Sequence, residues 1–330
     1  MRNPAERSGI ISLEDRRRQA GAYKLYTISE LLSLEDDPNQ WIIPNMIPRG
    51  KGKVVIYGHG GQGKSTIIDD MAVAVASGGL VIHQFPVYCP GRVLLLSTEG
   101  NKFTNRNRLA AMLRSRALHP SKVDLLFGDK AIKLQDARGR DLFHQIVERL
   151  RPLVIVLDPY RAFFSGDENS TRDTNAFTDA LDEIQDICGS TVVIVHHSRK
   201  DGEIRGNVAL YDWADVVMAL DRVKQQQLAG VPDPVDVIRI EAKKVRDGQE
   251  GPLFCAVPFF DKELGITTFG WFDGTPRDVA RVWLMLAVYR FLQGTQQAFT
   301  QTEIQQQFRV GAERAREALQ ALAAGGFAAC

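Results

Sequence analysis

At 330 residues the chain is long enough for one large domain and a small one. A composition of 44% hydrophobic and 25% charged residues is that of an ordinary soluble globular protein, and a net charge of +1 excludes a global basic field, so any nucleic-acid binding must come from local patches or from assembly. No stretch approaches the ~20 apolar residues of a membrane span, the charged start lacks the apolar core of a secretory signal, and Cys89, Cys188, Cys255 and Cys330 have no metal-ligand spacing, so the expectation is reduced thiols in a cytoplasmic protein.

In chain order, residues 1–25 are polar and arginine-rich (Arg16, Arg17, Arg18) and read as a solvated arm. TISELL, 27–32, reads as a short helix, and WIIPNMIP, 41–48, as an apolar lead-in to the core. KVVIY, 53–57, is a strand, followed by the loop GHGGQGKST, 58–66, and a helix over 64–76 stopped by Gly78 and Gly79. Strands are expected at 80–83, 92–99, 123–127, 152–158 and 191–196, with helices at 105–117, 139–149 and 174–187. The near-continuous apolar runs PLVIVLD and TVVIVH are the pattern of strands covered on both faces. This alternation predicts an α/β fold with a mostly parallel sheet between helices. Strands then follow one another at 216–220, 235–241, 253–257 and 266–269, as in antiparallel hairpins on a sheet edge. A linker at 274–278 leads to a helical, Gln- and Ala-rich end: a helix to about 293, a capping box TQTE, 300–303, opening a second to 308, and a third over 311–323. The expected domains are thus an N-terminal arm and short helix, 1–40, a core, 41–273, and a C-terminal helical module, 274–330.

The loop carries the chemistry. Gly58, Gly63, Lys64 and Ser65 fit G-x-x-x-x-G-K-[ST] between a strand and a helix, the setting in which backbone amides cradle phosphates. Gly58, His59, Gly60, Gly61, Gln62, Gly63, Lys64, Ser65 and Thr66 are the candidate nucleotide-binding residues, with Lys64 on the β- and γ-phosphates of ATP and Ser65 on Mg²⁺. The plain alternative is a glycine turn that happens to precede a lysine. Asp158 ends an apolar strand, where it can support Mg²⁺ or simply cap the following segment. The slot after it is taken by Pro159 and Tyr160, so Glu99, at the end of a neighbouring strand, is the candidate general base, or else a surface glutamate. Of the pair His196 and His197, one points into the site and one away; His197 is the candidate sensor of the γ-phosphate.

Two cationic segments remain. SRKDGEIRG, 198–206, is a glycine-broken loop in which Arg199 and Lys200 can touch nucleic-acid phosphates, or a solvated loop. EAKKVRDG, 241–248, ends an edge strand; its guanidinium can serve a neighbouring subunit's phosphates, or it is a polar hairpin tip.

The ordered set GHGGQGKST, LLLSTEG, VIVLDPY, FFSGDENSTRDTNAF, VIVHHSRK, IRGNVALYDWADVVMAL and EAKKVRDGQEG resembles the RecA-type core of hexameric replicative helicases, nearest the plasmid RepA-like branch, with DnaB-type helicases as wider relatives. The resemblance covers about Trp41 to Phe269. It implies a RecA-like P-loop NTPase core with antiparallel edge strands, Glu99 as catalytic base, Asp158 as second support of the metal, and His197 where DnaB-type enzymes carry a glutamine sensor. It also implies that Lys244 and Arg246 are the K-x-R pair inserted into a neighbouring subunit's ATP, with Arg205 as the competing finger. The C-terminal module departs from the plain RepA-like pattern and resembles a winged helix with a truncated wing, Arg314 and Arg316 facing outward, suited equally to DNA or protein docking.

The implied function is an ATP-hydrolysing motor, assembled as a homo-hexameric ring on single-stranded DNA, serving as the replicative helicase of a plasmid, phage or other mobile element beside an initiator or other DNA-bound protein. A remodelling ATPase that does not unwind, and a nucleotide-gated DNA-binding adaptor, are the competing readings.

Overall fold

The computed structural model describes residues 26–34, 40–199, 202, 204, 206, 208–226, 235–246, 248–261, 265–272, 284, 287–288, 291–292 and 299–324. The chain divides into two units, Met1–Pro38 and Asn39–Cys330. In the first, Thr27 caps helix α1 (Ile28–Leu32): its hydroxyl accepts from Glu30 N at 3.3 Å, and the Glu30 carboxylate accepts from Thr27 N at 2.8 Å. No residue of α1 is buried.

The second unit begins with a small hairpin, β1 (Trp41–Ile43) and β2 (Ile47–Pro48), so the apolar lead-in is itself paired. Strand β3 (Lys53–Gly58) feeds helix α2 (Lys64–Ser77), which Gly78 ends in the left-handed conformation. Then come a second hairpin, β4 (Leu80–Val81) and β5 (Phe85–Pro86), strand β6 (Val93–Ser97), helix α3 (Lys102–Ser115), strand β7 (Leu125–Gly128), helix α4 (Ala137–Leu150) and strand β8 (Val154–Asp158). Helices α5 (Tyr160–Phe163) and α6 (Thr171–Cys188) lead to β9 (Thr191–His197), and α7 (Ala209–Trp213) to β10 (Val216–Gln226). Strands β11 (Val235–Val245), β12 (Gly251–Asp261) and β13 (Ile266–Phe272) complete the nine-stranded sheet, in the order β13-β12-β11-β10-β3-β9-β8-β6-β7. From β10 to β7 neighbours are parallel; from β10 to β13 they are antiparallel. This is the RecA-like arrangement, with the glycine-loop strand β3 and the aspartate strand β8 separated by β9.

The apolar runs are continuous because both faces are covered. Val54, Ile56, Val93, Leu95, Val154, Val156, Val193 and Val195 pack with Ile67, Ile68 and Met71 of α2. Their alternate neighbours Val55, Tyr57, Leu94, Leu96, Ile155, Leu157, Val192 and Ile194 pack with Phe143 of α4 and Phe177 and Leu181 of α6. The C-terminal helices α8 (Gln301–Phe308) and α9 (Ala312–Ala324) form a cluster of their own, Ile304, Ala315, Ala318 and Leu322 packing with Leu284 and Val288. The TQTE capping box is formed, and Arg314 and Arg316 are exposed. The linker at 274–278 and the truncated wing lie outside the described residues. No helix among the described residues is long and apolar enough to cross a membrane.

Three expectations are corrected. The strand at 80–83 stops at Val81, because Ile82 and His83 turn the chain at φ 45° and 58° and Asp70 accepts the Ile82 amide at 2.6 Å. The strand over 92–99 ends at Ser97, leaving Glu99 in the loop beyond. The edge strands run past their expected ends, to Gln226, Val245 and Asp261, because the antiparallel pairing continues beyond the apolar stretches: 222–226 of β10 pairs with 235–238 of β11, 242–245 of β11 with 216–218 of β10, and 258–261 of β12 with 266–269 of β13.

Candidate active site

The glycine loop is shaped by close approach and by left-handed turns. A Cβ on Gly58 would lie 2.2 Å from the Leu220 carbonyl oxygen of β10, so only glycine fits there. Gly61 and Gly63 adopt φ 75° and 92°, the region glycine enters without penalty. His59 N donates to Gln62 Oε1 at 2.9 Å, and Gln62 Nε2 to Asp221 Oδ1 at 3.2 Å, which closes the loop on itself and ties it to β10. Gly63 caps that helix without a side chain, so its first amides are left to an anion. Lys64 is only 7% exposed; its ammonium donates to the Gly58 and His59 carbonyls at 2.8 and 2.7 Å. Burial lowers its pKa, opposed by the charges of Glu99 and Asp158.

The carboxylates arrive from other strands. Asp158 stands beside Ser97 in register, and its carboxyl is buried, with Ser97 Oγ 3.5 Å from Oδ2. Burial pushes its pKa up to about 6, held back by the neighbouring Ser65 hydroxyl and raised further by Glu99. Glu99, exposed at the mouth, has Oε2 3.4 Å from Ser65 Oγ and Oε1 3.4 Å from His197 Nε2. His197 pairs in register with Gly58, which brings it beside the loop. His196 points to the opposite face, its ring 4.7 Å from that of Tyr160. One histidine of the pair therefore meets Glu99 and the other packs in the core.

Asp158 Oδ1 is buried without a hydrogen-bond partner, an acceptor suited to a hard cation with the Ser65 hydroxyl close by. Among the described residues no cluster of three His, Cys, Asp or Glu side chains would hold a metal alone. That donor set fits Mg²⁺ completed by phosphate oxygens and water.

Lys64, Ser65, Glu99 and His197 line a cleft of about 270 Å³ together with Arg222, Ile238, Pro258 and Phe260, with Asp158 buried behind Ser65 and Glu99 rather than on its wall. The second set was missed in the sequence. It belongs to the parts of β10, β11 and β12 that rise past the loop, and only their length could have signalled it. Arg222 is fixed there by Asp236, which accepts from Nε and Nη2 at 2.9 and 2.6 Å.

Lys244 and Arg246 are not brought to this cleft. Val245 pairs with Val216, and Val216 with Val54, so the pair sits at the opposite end of β3 from Gly58. Four residues of strand separate the two ends, roughly 13 Å. Lys244 Nζ donates to the Tyr211 and Asp212 carbonyls at 2.9 and 3.1 Å, and Arg246 Nη1 meets Asp215 Oδ1 at 2.8 Å. Arg199 is exposed and donates to the Gly206 carbonyl at 2.9 Å. Lys200 and Arg205 lie outside the described residues.

Residues 18–203 match the AAA domain family. The chain belongs to that family. The matched segment holds Lys64, Ser65, Glu99, Asp158 and His197 and stops short of Lys244 and Arg246. No curated protein sequence matches the chain. Among solved structures it is similar to a DnaB-like replicative helicase studied for its interactions with primase, at 15% identity and a TM-score of 0.47, over 67% of this chain and 57% of that one. It is also similar to a KaiC-like protein from the archaeon Pyrococcus horikoshii OT3, at 11% identity and a TM-score of 0.47, over 72% of this chain and 99% of that one. The chain therefore spans little more than half the length of that helicase. As a member of the AAA domain family with an intact G-x-x-x-x-G-K-[ST] loop, the chain carries the P-loop of a nucleotide-binding protein.

Proposed function

We propose that the protein is a ring-forming, ATP-driven motor on single-stranded DNA, the replicative helicase of a plasmid, phage or other mobile element. The supporting observation is a division of labour. Lys64, Ser65, Glu99, Asp158 and His197 share one end of the sheet, and the K-x-R cations sit at the other. A chain cannot apply Arg246 to its own phosphates across that distance, whereas a neighbour in a ring can.

Lys64 and the α2 amides bind the phosphates, and Ser65 and Asp158 hold Mg²⁺, which supplies charge neutralisation when bound. Glu99 orients and deprotonates the attacking water, and His197 couples that carboxylate to the γ-phosphate. Arg246 of the adjacent subunit, or Arg205, stabilises the charge of the transferring phosphoryl group. Residues 41–273 are the motor; Arg199 and Lys200 track the DNA backbone, and residues 274–330 are a separate docking module.

The test is unwinding of a forked DNA duplex with ATP, alongside ATP hydrolysis with and without single strands. Hydrolysis stimulated by single-stranded DNA with strand separation is expected. Stimulation without separation supports the remodelling ATPase, and hydrolysis indifferent to DNA refutes the motor. Neutralising Arg199 and Lys200 together is expected to weaken single-strand binding and flatten its salt dependence.

A further inference from the structure

Glu99 lies in a loop, yet its carboxylate must be held still to serve as a base. The backbone around it is anchored from two sides. Thr98 N donates to the Asp158 carbonyl at 2.9 Å, and Asn101 caps α3 by accepting from Phe103 N and Thr104 N at 2.9 and 3.0 Å. Gly100 turns the chain between them at φ 73°. Behind the loop lies Asn105, 1% exposed on the first turns of α3. Its Nδ2 donates to the Glu99 carbonyl at 3.1 Å, and its Oδ1 accepts from Arg108 Nη2 at 2.9 Å. Arg108 Nε in turn donates to Asp69, a buried carboxylate on α2. Asp69 follows Ser65 by four residues, one helical turn down the same face.

We infer that Asn105 and Arg108 are positioning residues that lock the Glu99 loop to the helix carrying Lys64 and Ser65. Hydrogen bonds thus run unbroken from α2 through Asp69, Arg108 and Asn105 to the Glu99 backbone, so the base and the phosphate-binding residues move as one body. A buried ion pair is weak support for stability as such, and a buried asparagine between a carbonyl and a guanidinium is costly unless both contacts form. Burial pushes the Asp69 carboxyl up to about 6, with the Arg108 guanidinium opposing that rise.

This inference rests on Glu99 being the general base, and the experiment separates the two. Single-turnover hydrolysis of γ-labelled ATP is measured for the wild type, Asn105→Ala, Glu99→Gln and the double variant, with ATP affinity by calorimetry. Asn105→Ala is expected to slow hydrolysis about 10- to 100-fold, the scale of a small misplacement of a reacting group, with ATP affinity unchanged. In the Glu99→Gln background it is expected to add nothing, because its effect passes through Glu99. Asn105→Asp, which keeps the volume and the Arg108 contact but loses the donor to the Glu99 carbonyl, is expected to behave as Asn105→Ala and guards against misfolding. Equal losses in both backgrounds, or hydrolysis at the wild-type rate in Asn105→Asp, would overturn the positioning role while leaving the base intact. Glu99→Gln turning over at the wild-type rate would overturn both.

Discussion

Replacing Glu99 by glutamine is the most informative single change to the cleft. The amide keeps the length and volume of the side chain and loses its basicity together with its negative charge, which the site feels at Lys64 and Asp158. Both contacts of the carboxylate, to Ser65 Oγ and His197 Nε2, measure 3.4 Å, long enough that little ground-state energy resides in them. ATP affinity should therefore change by less than about threefold, under ~0.7 kcal/mol. The barrier should rise by the full worth of a positioned base, at least ~100-fold in rate or ~2.7 kcal/mol. Calorimetry with ATP and Mg²⁺ reads the first quantity, and phosphate release under saturating ATP reads the second. Turnover that persists in Glu99→Gln yet vanishes in Asp158→Asn would refute the reasoning, because the base would then lie elsewhere.

Lys64→Ala removes the ammonium that sits 2.7 to 2.8 Å from two loop carbonyls, and should abolish ATP binding by calorimetry while the β3–α2 core stays folded by circular dichroism. Arg246→Ala should bind ATP normally and hydrolyse it slowly, and mixing it with Glu99→Gln should restore part of the activity, since some interfaces then combine an intact base with an intact finger; well-mixed subunits without recovery would make Arg246 only the partner of Asp215. Asp158→Asn should stabilise the nucleotide-free protein at neutral pH. Its carboxyl, raised from 3.8 to about 6, binds a proton in the native state that the unfolded chain has released, so stability falls as pH rises through that window, by at most about 3 kcal/mol. Urea melts at pH 5 and pH 7.5 check this: the variant's gain over wild type should be present at pH 5, inside the window, and larger at pH 7.5, above it, and no gain at the higher pH would mean the native carboxyl is not strained by burial.

What the residues alone determined about this protein is local or strictly periodic. GHGGQGKST specifies its own loop because left-handed turns and the close approach at Gly58 admit only glycine. The parallel core was legible because a strand covered on both faces must be apolar at every position, as at Val154–Leu157 and Val192–Val195. His197 could be separated from His196 by the two-residue alternation of a strand. The tertiary structure decided what depends on pairing between distant segments. The strand order, with β9 inserted between β3 and β8, brings Asp158 and Glu99 to Ser65 across intervals no spacing rule measures. The cleft wall of Arg222, Ile238, Pro258 and Phe260 exists because the antiparallel pairings of β10 with β11 and of β12 with β13 carry those residues past the glycine loop, and pairing between distant segments leaves no local period to mark it. The line from Asp69 through Arg108 and Asn105 to Glu99 was hidden for the same reason: buried polar side chains are satisfied by partners that only the fold supplies.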